Sequence, residues 1–111
     1  MRNAPVVIYV AAGSEQEAAA IGKALVKKRM AACTHVVPRM RSQFIWEGKL
    51  CRENEALLIV KSAEHKINEI IAVVQSMHHY ELPEIIAIPI IGGSKDYLDW
   101  LQESITSDPI V

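Results

Sequence analysis

The chain has no excess of positive charge: 12 lysines and arginines stand against 13 aspartates and glutamates, a net charge of −1 over 111 residues. That balance gives no electrostatic case for nucleic acid or an anionic membrane as partner. Cysteine is scarce too. The two present, Cys33 and Cys51, form no CxxC and no metal-ligand spacing, which fits free thiols in a reducing, cytoplasmic setting better than a secreted disulfide scaffold. No apolar run is long enough to span a bilayer. Pro5 to Gly13 is apolar but short and lacks a strongly basic leader, so it reads as a first strand and not as a signal peptide. There is no phosphate loop, because Gly92-Gly93-Ser94 has neither the length nor the lysine. GxSxG and HExxH are absent as well. No catalytic constellation is left, and nothing implies an organic cofactor.

What is present is apolar material: half of the residues, enough for one domain, residues 1–111, to build a core without disulfides or structural metal. Val6 to Ala11 is near-continuously apolar and predicts a central strand buried on both faces. Ser14 and Glu17 form a capping box, the hydroxyl taking a first-turn N–H and the carboxylate reaching back to the cap. The helix they open carries Ala18, Ile21, Gly22, Leu25 and Val26 on one face, with Lys27, Lys28 and Arg29 as solvated charges in its last turn. A second strand starts at Ala31 and is interrupted by Pro38, a residue that belongs at an edge or bulge. Ala56 to Val60 returns to the core, and Ser62 is placed to cap a second helix striped by Ile67, Ile70, Ile71 and Val74. Pro83 blocks that helix. Ile85 to Ile91 is a β-branched run bent by Pro89. Ser94 caps a last helix with Tyr97, Leu98, Leu101 and Ile105 on its apolar face, and residues 108–111 are a frayed tail or a short pairing strand. The order β-α-β-β-α-β, then α, predicts an α+β, ferredoxin-like fold with both crossover helices on one face of a four-stranded antiparallel sheet.

The chain is organised around Arg39 to Lys61. Two extended runs flank Glu47-Gly48, with Trp46 facing Lys49, Phe44 facing Cys51 and Gln43 facing Arg52, and Gly48 supplying the positive φ of the turn. Ordinary strands run roughly 5–6 residues, so a small sheet cannot cover this arm. A long hairpin with aromatic content and unpaired edges associates unless another chain covers it. The arm therefore predicts a homo-oligomer, with Phe44 and Trp46 as interface anchors.

Four stretches carry possible chemistry. In Met77-His78-His79-Tyr80-Glu81-Leu82-Pro83-Glu84, two imidazoles and nearby carboxylates suit a late first-row divalent metal. Adjacent residues point in different directions, however, so one histidine with Glu81 or Glu84 would serve any one ion. The bland alternative is two histidines at the negative end of a helix. His35 and His65 are placed on the surface. Cys33, after Ala31-Ala32, is either a packed small hydrophobe or a soft ligand and reactive thiol. Lys61-Ser62, at a strand-to-helix junction, is either a solvated strand end or an anion site with a helix N-terminus. Trp46-Glu47-Gly48-Lys49 forms the hairpin tip.

Ala31-Ala32-Cys33, Trp46-Glu47-Gly48-Lys49, Lys61-Ser62, His-x-Tyr-Glu-x-Pro-Glu from His78 to Glu84, and Tyr97-Leu98-x-Trp100 resemble the CutA divalent-cation tolerance family in order and spacing. The likeness runs from Val6 to Ile105. It implies a tight homotrimer, similar in architecture to the trimeric PII signalling proteins, without catalytic activity and related to copper and other divalent cations. Cys33, Lys61, Tyr80 and Glu84 are carried over as residues of the intersubunit cleft, and His78 as the matching histidine, with His79 beside it as a further metal ligand. The alternative implied by the PII likeness is a sensor of a small anionic metabolite in that cleft. Three positions depart from the pattern: His79 stands where many members have proline, Met77 where some have histidine, and Val10 where some have cysteine.

Overall fold

A computed structural model of the chain describes residues 3–106; the expectation for residues 108–111 falls outside them. Strands and helices follow the expected order: β1 (Pro5–Ala12), α1 (Glu15–Lys27), β2 (Cys33–Trp46), β3 (Lys49–Ala63), α2 (Ile67–Met77), β4 (Ile85–Pro89) and α3 (Lys95–Thr106). The four strands form one sheet in the order β2-β3-β1-β4, every neighbour antiparallel. This is the ferredoxin-like α+β arrangement.

β1 is central, but only one of its faces is closed, which corrects the expectation of burial on both. Val6, Ile8 and Val10 are buried while Val7 and Tyr9 are half-buried. The period-2 alternation of a strand sends the first set toward α1 and α2, where Ile21, Leu25, Ile70 and Val74 meet Leu58 and Val60. Each such side chain contributes roughly 1.5–3 kcal/mol on burial. On β3, Leu58, Val60 and Ser62 face that core, and Lys61 and Ala63 face the other way. There Ala63 packs with Leu101 and Ile105 of α3, so α3 covers one end of the second face. Ile86 and Ile88 of β4 stay exposed.

Gly22 lets α1 approach the sheet closely. A Cβ at this position would lie 2.8 Å from Thr34 Oγ1 and 3.0 Å from Leu58 Cδ1. Gly22→Val is therefore expected to destabilise the fold by roughly 1–3 kcal/mol through overpacking, read as a lower urea midpoint with an unchanged m-value.

Ser14 caps α1 as expected, its hydroxyl accepting from the Glu17 N–H at 3.1 Å. The helix ends in a Schellman turn: Arg29 has φ 58° and its N–H reaches Val26 O, while that of Met30 reaches Leu25 O, both at 3.0 Å. Ser62 does not cap α2. The ladder between β1 and β3 continues to Pro5↔Ala63, which holds Ser62 inside the strand, buried, with its hydroxyl donating to Met30 O at 2.5 Å. A single turn of 3-10 helix, Glu64–Lys66, follows before α2 begins at Ile67 without a side-chain cap.

The arm has the expected register, with Trp46↔Lys49, Phe44↔Cys51 and Gln43↔Arg52. Both loop residues take positive φ, Glu47 at 51° and Gly48 at 78°, as a two-residue type I′ turn requires. At Pro38 the pairing jumps from Val37↔Leu57 to Met40↔Glu55, so Pro38 and Arg39 together oppose Ala56. That is a β-bulge, with Arg39 at φ 56°. Pairing of β3 with β1 stops at Ala56, and β2 is an edge strand. Among the described residues, both edges of the arm beyond that point are bare.

Candidate functional site

Among the described residues, a group of potential metal ligands lies where α2 ends against the start of α1. α2 stops at Met77, and His78 takes an extended backbone with φ −80° and ψ 136°. Its ring is buried and fully engaged. Nε2–H donates to Ala11 O at 2.7 Å, and Nδ1 accepts the Tyr80 N–H at 3.1 Å. These two bonds fix one neutral tautomer. His79 is instead largely exposed, and its Nδ1 lies in short contact with Glu17 Oε2. The other carboxylate oxygen, Oε1, accepts the Gly13 N–H at 3.1 Å and sits 3.6 Å from His78 Nε2.

One ligand atom from each of Glu17, His78 and His79 falls within 4.8 Å of the others. The two histidines thus converge on one carboxylate, contrary to the expectation that they diverge. The reason is that Glu17 arrives from a different element and reaches both rings. The carboxylate beside the two rings is that of Glu17 and not the expected Glu81 or Glu84. Burial alone would raise its carboxyl, but hydrogen bonds from His79 and the Gly13 N–H outweigh that and hold it below its usual value. Gly13 makes room for the group, since a Cβ there would lie 2.7 Å from His79 Cε1. Val10, where some relatives of the resembled family carry cysteine, is fully buried in the core and offers no ligand.

Tyr80, whose ring packs 4.8 Å from that of His79, also lines with Glu84 a cavity of about 540 Å³ under the arm whose wall includes Phe44, Trp46, Cys51 and Glu55. Burial, followed by the nearby carboxylate of the buried Glu55, pushes the Tyr80 phenol up to about 12. It stays a neutral donor at physiological pH. The two anchors read from the arm, Phe44 and Trp46, and two of the carried-over cleft residues therefore share one cavity.

Cys33 and Lys61 form a separate group on the second face of the sheet, directly paired across β2 and β3. Cys33 Sγ lies 3.6 Å from both His35 Nε2 and Tyr97 Oη, and Lys61 Nζ sits 5.4 Å from the Tyr97 ring centroid. Burial first, then the neighbouring Cys33, raises the Tyr97 phenol against the opposing effect of Lys61. Lys61 is inside β3, and α2 begins only at Ile67. The helix N-terminus expected beside it is absent. His35 is exposed as expected. His65 is half-buried, with a shielded Nδ1 that has no hydrogen-bond partner.

Within a single chain the cleft residues thus fall into two places, Cys33 with Lys61 and Tyr80 with Glu84. Sequence reasoning missed Glu17, Gly13 and Glu55 as site residues. Glu17 was visible only as a capping residue, and its histidine partner stands 62 positions away. His35 had a readable signal: at two residues from Cys33 on a strand, it shares the same face.

The family model described as "CutA1 divalent ion tolerance protein" matches residues 6–104. The "Divalent-cation tolerance protein CutA" of Thermus thermophilus is 41% identical over 98 residues, covering 88% of this chain and 95% of its own length. "Protein CutA, chloroplastic" of Arabidopsis thaliana is 36% identical over 99 residues, which are 89% of this chain and 54% of that longer protein. Among solved structures, the "Periplasmic divalent cation tolerance protein CutA from Archaeoglobus fulgidus" matches with a TM-score of 0.88 at 42% identity. It covers 91% of this chain and 98% of that one.

Proposed function

Because this chain belongs to the CutA1 divalent ion tolerance family, we propose that it acts as a non-enzymatic homotrimer in divalent-cation tolerance, holding copper or another divalent metal weakly through Glu17 and His79. The observation that carries this reading is the convergence of Glu17, His78 and His79. A carboxylate and an exposed imidazole are a donor set suited to copper, nickel or zinc. His78 would join only by giving up its bonds to Ala11 and Tyr80, so its role is to hold the loop that presents His79. Two accessible protein ligands account for weak binding. The bare-edged arm, with Phe44 40% and Trp46 41% exposed, supports the trimer, and two free thiols favour a reducing compartment such as the cytoplasm. The metabolite-sensor alternative retains the Lys61 ammonium but loses the helix N-terminus that would have shared the anion.

Calorimetric titration of the metal-free protein with copper(II) and zinc(II) tests the site. About one ion per chain is expected. His79→Ala and Glu17→Gln should each weaken binding at least roughly tenfold, as loss of a ligand or its partner does. Gly13→Ala should weaken it too, by displacing the His79 ring. Unchanged isotherms for both His79→Ala and Glu17→Gln would refute the assignment.

A further inference from the structure

The Cys33 group is unused by the metal reading and has its own chemistry. On the face of the sheet opposite the main core, the half-buried Cys33 thiol touches a potential base, His35 Nε2, at 3.6 Å. Lys61 is its cross-strand partner and places an ammonium in the same group, beside Tyr97. Reactive cysteines sit in partly exposed, electropositive surroundings of this kind, and a nucleophile with a base in hydrogen-bond reach is the signature of an activated side chain. Cys51 supplies a contrast within the same chain. Its thiol is also half-buried, but it donates to a carbonyl, Lys49 O at 3.7 Å, an acceptor that cannot take its proton.

We propose that Cys33 is a nucleophilic thiol that exchanges with small anionic disulfides, with His35 as its base and Lys61 as the contact for the reagent's negative charge. In the step, the Sγ proton passes to His35 Nε2 and the thiolate attacks one sulfur of the disulfide RS–SR. The S–S bond breaks, Cys33–S–SR forms, and RS⁻ leaves, recovering the proton from His35 as RSH. Cys33 is oxidised to a mixed disulfide while half of the reagent is reduced to a thiol, so no other oxidant is needed. The site is distinct from the Glu17–His79 group, and the proposal does not depend on metal binding.

The test compares single-thiol proteins, Cys51→Ser and Cys33→Ser, reacted with dianionic dithiobis-nitrobenzoate and dicationic cystamine, with adducts located by mass spectrometry. Cys33 should react at least about tenfold faster than Cys51 with the anionic reagent. Within the Cys51→Ser protein, His35→Asn should slow both reagents at least about tenfold, a conservative share of the ~10²–10⁴ a positioned base supplies. Lys61→Met should abolish the preference for the anionic disulfide, a selectivity that a merely structural role would not move. Equal rates for the two cysteines, or a His35→Asn protein as fast as its parent, would overturn the proposal. A charge preference that survives Lys61→Met would overturn the role given to Lys61.

Discussion

Phe44→Glu combined with Trp46→Glu is expected to leave a folded chain that no longer assembles. Both rings stand on the arm beyond the last residue of β3 that β1 covers, and both line the cavity that also holds Tyr80 and Glu84. Aromatic anchors of this kind are worth about 2 kcal/mol or more each in an interface. Replacing two of them with carboxylates beside Glu53, Glu55, Glu81 and Glu84 adds like-charge repulsion, so association should weaken by at least ~3 kcal/mol, more than a hundredfold. The core is left untouched, because Ile8, Ile21, Leu25 and Ile70 lie off the arm and Leu58 lies on the part of β3 that β1 covers. Light scattering at several concentrations should give three times the chain mass for the parent and the single-chain mass for the variant. The parent's thermal midpoint should also rise with concentration, because assembly stabilises the fold by mass action. A parent that is monomeric throughout, or a double variant that keeps the parent's mass, would refute the arm as the assembly element.

His78→Ala is expected to be among the most destabilising single changes in the chain. The ring is buried and satisfies two backbone groups, Ala11 C=O and Tyr80 N–H. Each group left unpaired costs about 1–3 kcal/mol, and the space vacated by the ring adds to that. A loss of roughly 3–5 kcal/mol follows, measured by urea unfolding at fixed protein concentration. His79→Ala removes an exposed side chain and should stay within about 0.5 kcal/mol of the parent. The two neighbouring histidines then separate cleanly: one governs stability, the other metal affinity. A His78→Ala protein within 1 kcal/mol of the parent would show that the Ala11 and Tyr80 contacts carry little weight.

The fold was legible wherever a residue's local pattern decides its structure. Ser14 read as a cap, Glu47-Gly48 as a two-residue turn and Pro38 as a bulge, and each stands where it was placed. Ser62 failed because tertiary partners outweighed its capping propensity: its pairing with Val6 and the hydrogen bond to Met30 O hold it in the strand. Burial of β1 on both faces failed because an apolar run does not reveal how many helices will cover it. The candidate site was half legible. His78 and His79 stood out as a pair, but nothing near them in sequence announces Glu17, whose backbone cap and carboxylate serve two different ends of the chain. Likewise Glu55 and Tyr80 meet only once β3 and the loop after α2 are brought together. Long-range pairings of this sort leave no spacing to read.

Pulsed electron paramagnetic resonance of the copper(II)-loaded protein examines the central assignment most directly, since it counts the imidazoles bound to the ion. One coordinated imidazole is expected, present in the parent and in Lys61→Met and lost in His79→Ala. An imidazole signal that persists unchanged in His79→Ala, or a parent spectrum with none, would contradict the Glu17–His79 site.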